Sequence, residues 1–349
     1  MSSNAPSPDP TSSAPPTLIL AGRHRALTGS SRELSRRYRA GALVRVRTGI
    51  YYPKGAWISL KPWERYAVTM AAVAALEPST TFCYLTGLRV WGLPWPGVPG
   101  HIHAITHSPH KAGAMPPTTT AFPDAKTGLT GLERLRGYGV RRHHWPSETV
   151  QHRGYRVTSL IQTVLDCVVR LELTDALAIV DAVLGGHQGQ EQRLTRPELR
   201  DAASCLSAAK RRRVEEVLAL ADEACESVGE SRSRALFRVL GLPAPLLQQS
   251  FHDSEGFIAR TDFFWPEFGV IGEFDGDAKY LEDDLLGDRS TREALLAEKK
   301  REDRLRALGY KVVRWDWKTL SDPDLLGRKL RAAGIESQKS PRVGHLPHA

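Results

Sequence analysis

The stretch IARTDFFWPEFGVIGEFDG, residues 258–276, decides the fold of the C-terminal third of this chain. Two runs rich in aromatic and β-branched residues, 258–265 and 270–274, flank a short segment that contains Pro266 and Gly269. Extended runs of this kind, separated by Pro and Gly, are typical of two strands joined by a tight turn. The stretch therefore predicts a β-hairpin.

Three carboxylates on this hairpin indicate its chemistry. Asp262 lies inside the first run, Glu273 lies near the end of the second, and Asp275 follows two positions later. Because side chains two apart on a strand share a face, we expect Glu273 and Asp275 to project together, with Asp262 joining them from the paired strand. Like charges so close are unfavourable unless a cation neutralises them or one carboxylate takes a proton. The three residues therefore predict a site for Mg²⁺ or Mn²⁺, the cations that oxygen ligands suit and that assist phosphodiester hydrolysis.

The elements around the hairpin predict an α/β domain. GESRSRALFRVLGLP (229–243) is expected to be a helix that carries Glu230 in its first turn. TREALLAEKKREDRLRALGYKVVRWDW (291–317) is expected to be a second helix, a stop at Gly309 and a strand. The predicted order is thus helix, hairpin, strand, helix, strand.

This region resembles the very-short-patch-repair-endonuclease-like branch of the PD-(D/E)XK superfamily. The matching positions are Glu230, Asp262, Glu273, Asp275 and Lys279, followed by EKKREDRLRALGYKVVRW. The resemblance covers about a quarter of the chain and implies a Mg²⁺-dependent nuclease fold that acts on DNA. It also implies catalytic roles for these five positions, with Lys279 polarising water or phosphate.

One position departs from the family motif. The motif has a lysine two residues after its glutamate, and Asp275 stands there in this chain. Lys279 could supply the missing charge from the turn, or Lys299, Lys300 or Arg301 from the helix. If none does, the domain binds DNA without cutting it. Two structural alternatives also stay open: Asp275 as the cap of a turn, and Glu230 paired with Arg234 on a solvated helix.

The excess positive charge of the chain is concentrated near its N-terminus. The formal net charge is +9, and residues 18–60 contain nine Lys or Arg against a single acid, Glu33. A helix over SRELSRRYRAG (31–41) followed by the alternating segment ALVRVRTGIYYP (42–53) predicts a winged helix-turn-helix. Its expected DNA-binding residues are Arg32, Arg36, Arg37, Arg39, Arg45 and Arg47. The alternative is a solvated basic face.

A second resemblance supports this interpretation. SRELSRRYRAGALVRVRTGIYYP (31–53) resembles the winged-helix start of AbiEi-type antitoxin and transcriptional-regulator proteins. TGLRVWGLP (86–94), IHAIT (102–106) and RVTSLIQTVLDCVVRL (156–171) resemble the body that follows it. The resemblance implies DNA binding by the first module, whereas no toxin partner can be read from the sequence.

We therefore expect an α/β multi-domain protein with a winged helix, an α/β middle region and a restriction-endonuclease-like α/β/α core. The predicted boundaries are a disordered tail at 1–17, the winged helix at 18–60, the AbiEi-like middle region at 61–222, the nuclease-like domain at 223–335 and a second tail at 336–349. Four scattered cysteines without a CxxC pair fit a reducing cytoplasm, and no apolar run approaches the ~20 residues of a membrane span.

Two functions follow from this organisation. The first is a Mg²⁺-dependent DNA endonuclease targeted by the winged helix. The second is a DNA-binding transcriptional regulator or antitoxin-like protein whose nuclease fold is inactive. The retained carboxylates favour the enzyme, and the missing motif lysine favours the regulator. The sequence does not indicate the oligomeric state or the sequence preference.

Overall fold

A computed structural model describes residues 18–28, 32–94, 97–121, 137–185, 187, 192–276 and 289–336. The chain is a mixed α/β protein that divides between Cys167 and Val168 into two compact units. The predicted N-terminal tail, positions 337–349 of the predicted C-terminal tail, and Lys279 lie outside the described residues. No helix among the described residues is long and apolar enough to cross a bilayer.

The N-terminal unit begins with short helices and a small sheet. Helices α1 (Ala21–Thr28) and α2 (Arg32–Arg39) precede a hairpin of β2 (Leu43–Arg47) and β3 (Ile50–Pro53), and β3 also pairs with β1 (Ile19–Leu20). Helix α3 (Lys54–Ser59) follows. Gly49, in the turn of the hairpin, has φ +74°, which glycine adopts without steric cost. The predicted helix and hairpin are present, whereas α1 is an addition to the prediction.

A six-stranded mixed sheet forms the rest of this unit. Its strands are β4 (Thr81–Phe82), β5 (His101–Ile105), β6 (Gly113–Met115), β7 (Gly139–His143), β8 (Thr149–His152) and β9 (Tyr155–Thr158), in the order β6-β7-β5-β4-β9-β8. Helices α4 (Pro62–Leu76), α5 (Tyr84–Trp91) and α6 (Leu160–Val168) accompany it. The prediction of an α/β region after residue 60 is therefore confirmed.

The C-terminal unit starts with helices that the sequence analysis assigned to the middle region. They are α7 (Leu173–Leu184), α8 (Arg196–Ala203) and α9 (Ala208–Leu220), and α10 (Val228–Val239) follows. Ion pairs join α7 to α10, Asp175 to Arg232 at 2.5 Å and the fully buried Asp181 to Arg234 at 3.1 Å. These three helices therefore belong with the C-terminal sheet, and the division of the chain lies earlier than the predicted boundary at 222.

A four-stranded sheet is the centre of this unit. Its strands are β10 (Leu246–Asp253), β11 (Gly256–Trp265), β12 (Val270–Phe274) and β13 (Lys311–Trp315), in sequential order. Neighbours are antiparallel except β12 and β13, which run parallel. Helix α11 (Arg289–Ala307) precedes β13, and α12 (Trp317–Leu320) and α13 (Pro323–Ala332) follow it. From α10 to β13 the described elements are thus helix, three strands, helix, strand; the strand additional to the hairpin, β10, precedes it, whereas the predicted order had a strand after it.

Both faces of this sheet are covered. On one face Phe263 and Trp315 pack around Phe237 of α10 in edge-to-face contacts. On the other face Ile271 packs against Leu305 of α11. Because consecutive residues of a strand face opposite sides, two cores explain why the hairpin sequence is apolar almost throughout.

Candidate active site

The hairpin register brings Asp262 and Glu273 opposite each other. The last paired residues of β11 and β12 are Phe263 and Gly272, and Asp262 and Glu273 are the next residues of the two strands in the same register. By strand alternation both carboxylates lie on the face of Ile271, the face that α11 covers. The register therefore puts these two acids at neighbouring positions on one face of the hairpin.

The Asp262 carboxylate accepts a hydrogen bond from the backbone of the neighbouring strand, in place of a backbone carbonyl. Its Oδ2 accepts a hydrogen bond from the backbone N–H of Phe274 at 2.8 Å, where the two strands no longer pair. Within the described ranges this amide is its only hydrogen-bond partner, and it has no ion-pair partner there. Asp262 is thus a half-buried carboxylate with no cationic side chain paired to it among the residues that the structure describes.

This setting raises the pKa of Asp262 to about 7 from its usual value near 3.8. Burial is the largest cause, the negative charges of Glu230 and Glu273 add to it, and the bond from Phe274 opposes it. The pKa of Glu273 is also raised by burial, against the opposing effect of Arg314. A carboxyl group that titrates near neutral pH is a recurring feature of functional sites.

Glu230 joins the cluster from the first turn of α10. It is 7% exposed, and its oxygens accept bonds from the Ser227 hydroxyl at 2.7 Å, the Glu226 amide at 3.0 Å and the Gln248 side-chain amide at 3.0 Å. Burial raises its pKa, and these bonds lower it. Its bonds with Ser227 are those of a helix cap. The alternative of a solvated Glu230 paired with Arg234 is therefore wrong, since Arg234 pairs with Asp181.

Glu273 has a cationic partner that the sequence analysis did not single out. The parallel pairing of β12 and β13 places Arg314 opposite Glu273, and the guanidinium NH2 lies 2.8 Å from Glu273 Oε2. Arg314 also contacts Glu298 and Glu302 of α11. Arg301 pairs with Glu298 in turn. The sequence pattern that could have identified Arg314 is the predicted strand KVVRW. Arg314 lies two residues after Val312 there and therefore on the same strand face.

Asp275 and Lys279, the other two predicted site residues of this region, lie beyond the end of β12. Asp275 follows the last residue of β12, so strand alternation no longer fixes its side chain, and its amide donates to the Trp315 carbonyl at 2.8 Å. Lys279 lies in the segment 277–288, outside the described residues.

The predicted group of three metal-binding carboxylates is not assembled in the described part of the chain. There, no three His, Cys, Asp or Glu side chains are grouped as a metal ion would require. The reason lies in the two preceding features: Glu273 is paired with Arg314, and Asp275 falls beyond the strand. The pair Asp262 and Glu273 still offers hard oxygen donors, the ligand type that Mg²⁺ and Mn²⁺ take.

The six arginines that were predicted to bind DNA differ in their exposure to solvent. Arg32, Arg36 and Arg39 of α2 are exposed, and Arg37 and Arg45 are half-buried. The Arg45 guanidinium lies 5.5 Å from the centre of the Tyr38 ring. These positions keep the charge of α2 and β2 within reach of a ligand at the surface.

Arg47 is the exception among them, and its predicted contact with phosphate is wrong for this fold. It is 5% exposed, and it donates to the Thr118 hydroxyl at 3.2 Å and to the Tyr138 carbonyl at 2.9 Å. Burial, together with the charge of Arg142, lowers its pKa to about 10. Arg47 therefore ties the hairpin to segments far along the chain.

Comparisons with other proteins add relatives but no activity. No family model matches the chain. Two uncharacterized proteins of Mycobacterium tuberculosis, MT2308 and Rv2248, are each 31% identical over 139 residues, which is 37% of this chain and 49% of each relative. The chain thus spans about half the length of the curated relatives it matches. The crystal structure of the RV2827C protein from Mycobacterium tuberculosis is similar over 69% of this chain and 85% of that chain, with 12% identity and a TM-score of 0.35. A TM-score this low supports no inference.

Proposed function

We propose that the C-terminal unit is a metal-dependent DNA endonuclease domain of the PD-(D/E)XK type, targeted by a winged-helix module in the N-terminal unit. One observation carries this proposal. Asp262 and Glu273 face each other across the hairpin, and Asp262 is held half-buried, without a cation beside it in the described residues. A fold keeps such a destabilising arrangement where function requires it.

The arrangement of elements supports the same class. A helix carrying Glu230 precedes a three-stranded antiparallel unit, and a helix then leads to a strand that joins it in parallel. The two acids lie at the end of the β11–β12 pairing, where the Asp262 carboxylate accepts the bond from the Phe274 amide. This order and placement agree with the resemblance that the sequence motifs indicate.

Each residue of the cluster has a distinct role in this proposal. Asp262 and Glu273 hold the Mg²⁺ or Mn²⁺ ion, which when bound lowers the pKa of a water molecule and neutralises charge on the phosphate. Glu230 adds negative charge next to Asp262. Arg314 orients Glu273 through their 2.8 Å ion pair. Arg301 lowers the pKa of Glu273 and is the helical candidate for the charge that the motif lysine supplies in the family.

The N-terminal unit supplies the contact with DNA in this proposal. Exposed Arg32, Arg36 and Arg39 follow one another along α2, next to the β2–β3 hairpin. Arginines bind phosphate oxygens through several donors, and each contact adds to the salt dependence of binding. The module thereby holds the duplex without requiring any base to be read.

A plasmid-nicking assay tests the enzyme proposal on the full chain. Supercoiled DNA is incubated with Mg²⁺ or Mn²⁺ and the wild type, Asp262→Asn, Glu273→Gln or Glu267→Gln. Glu267 is an exposed acid in the turn of the same hairpin and serves as the matched control. We expect nicking by the wild type and Glu267→Gln, and its loss in the other two. The proposal fails if all four proteins nick equally, or if none nicks with either metal.

A DNA-binding regulator with an inactive nuclease fold is the second candidate. Asp275 at the lysine position and the ion pair between Arg314 and Glu273 favour it. Gel shifts in which Arg36→Ser with Arg39→Ser weakens binding and flattens its salt dependence would support the role of α2. Arg47→Met should leave the salt dependence unchanged, because the Arg47 side chain is buried. Wild-type binding without nicking would favour the regulator, and unchanged binding by the α2 variant would contradict this module.

A further inference from the structure

Gln248 stands out in β10 because of its backbone. Its φ is +52°, a left-handed conformation that non-glycine residues rarely adopt. The strand continues on both sides, since Leu247 pairs with Phe263 and Gln249 pairs with Thr261. A strained residue inside a strand persists only where its surroundings hold it there, and such residues cluster at functional sites.

The position of Gln248 connects this strain to the acidic cluster. By the register of its two neighbours, Gln248 lies directly across from Asp262, which has Glu273 on its other side. The Gln248 side-chain amide donates to Glu230 Oε2 at 3.0 Å. One residue of the outer strand therefore lies beside one acid of the cluster and bonds to another.

We propose that Gln248 is a positioning residue of the acidic site, which holds the Glu230 carboxylate beside Asp262 so that their charges together attract a divalent cation. The inference rests on the proposed metal-dependent function. The left-handed backbone lets the Gln248 side chain leave the ordinary alternation of the strand and aim its amide at Glu230.

The chemistry of the side chain suits this task. A glutamine amide donates a hydrogen bond without adding charge, so it orients Glu230 and leaves the negative potential of the cluster intact. A lysine or arginine in its place would neutralise the cluster, as Arg314 does at Glu273. Replacing groups in the shell around the metal ligands commonly changes metal affinity about 10- to 100-fold, and Glu230 with Gln248 forms part of that shell beside Asp262.

The test is a Mn²⁺ titration of the full chain, read by electron paramagnetic resonance of the free ion, together with plasmid nicking. Gln248→Leu removes the amide but keeps the strained backbone, and Gln248→Gly removes both. Gln249→Leu is the matched control, since the Gln249 side chain donates only to the adjacent Ser250 carbonyl in the described residues. Asp262→Asn, which removes a proposed metal ligand, shows the Mn²⁺ binding that remains when the site is lost.

We expect both Gln248 variants to bind Mn²⁺ about 10-fold more weakly, with Gln249→Leu equal to the wild type. We also expect Gln248→Gly to unfold at the same or a higher denaturant concentration than the wild type, because glycine removes the strain. If Gln248→Leu does not fold, Gln248→Gly decides the question alone.

The outcomes separate the two proposals. Wild-type Mn²⁺ affinity in the Gln248 variants, with nicking by the wild type retained, overturns the role of Gln248 and leaves the proposed function standing. A wild type that neither binds Mn²⁺ nor nicks DNA refutes the proposed function, and the positioning role falls with it.

Discussion

Replacing Asp262 with asparagine is expected to stabilise the C-terminal unit at pH 8. The pKa of this carboxyl rises from its usual 3.8 to about 7, chiefly through burial. Folding therefore opposes its ionisation, and at about 1.4 kcal/mol for each pH unit of difference the cost approaches about 4 kcal/mol above pH 7. Asparagine removes the charge and can still accept the bond from Phe274, so a gain of about 2–4 kcal/mol should follow.

The sign of this effect depends on pH in a defined way. Below about pH 4 the Asp262 carboxyl is protonated in the folded and the unfolded chain alike, so wild type and variant should be equally stable. As the pH rises from about 4 to about 7, the wild type progressively loses the stability that protonation provides. Above pH 7 the difference should be complete and constant.

Hydrogen exchange across a urea series, read in peptides from β11 and β12, measures this stability in the full chain. The comparison needs pH 4 and pH 8, with Glu267→Gln as a control that should show no gain at either pH. Mg²⁺ at pH 8 should stabilise the wild type but not Asp262→Asn, because a ligand stabilises only the state that binds it. A variant less stable than the wild type at pH 8 would refute the reasoning about burial.

Two further predictions concern the same unit. Asp253→Asn should destabilise the C-terminal unit at pH 7, because the ion pair with Arg304 lowers the pKa of Asp253 to about 2. The loss of stability should fade as the pH falls from about 4 toward 2. Urea midpoints at pH 7 and pH 3 that differ from the wild type by the same amount would contradict this. Gly229→Ala should lower the free energy of unfolding by about 1–3 kcal/mol, because the added Cβ would collide with the Phe274 ring. Gly55→Ala is the control, since a Cβ at Gly55 meets nothing within 4 Å. Equal urea midpoints for both variants would rule out the collision.

Local patterns were sufficient to predict the hairpin. Strands at 258–265 and 270–274 were expected, and the structure has Gly256–Trp265 and Val270–Phe274. The four residues between Trp265 and Val270 set the register, which places Asp262 across from Glu273. Alternation and turn length are properties of neighbouring residues, and they can therefore be read from a single sequence.

Contacts between distant segments could not be read in this way. Arg47 alternates with apolar residues as a solvated strand residue would, yet residues 71 and 91 positions later, Thr118 and Tyr138, bury it. Arg314 reaches Glu273 only because β13 pairs in parallel with β12, which no turn connects. The hairpin sequence alone could not reveal the ionic partner of Glu273, since that partner comes from another part of the chain.

The left-handed residue in β10 also bears on how this protein behaves in a crowded cell. β10 is an outer strand of the described sheet, and such strands present a row of unsatisfied amides and carbonyls on which another chain can add a strand. The backbone of Gln248, the third residue of β10, interrupts that row, and a register shift between Phe251 and His252 interrupts it again. The left-handed conformation of Gln248 thus also makes the edge strand β10 a poor template for aggregation.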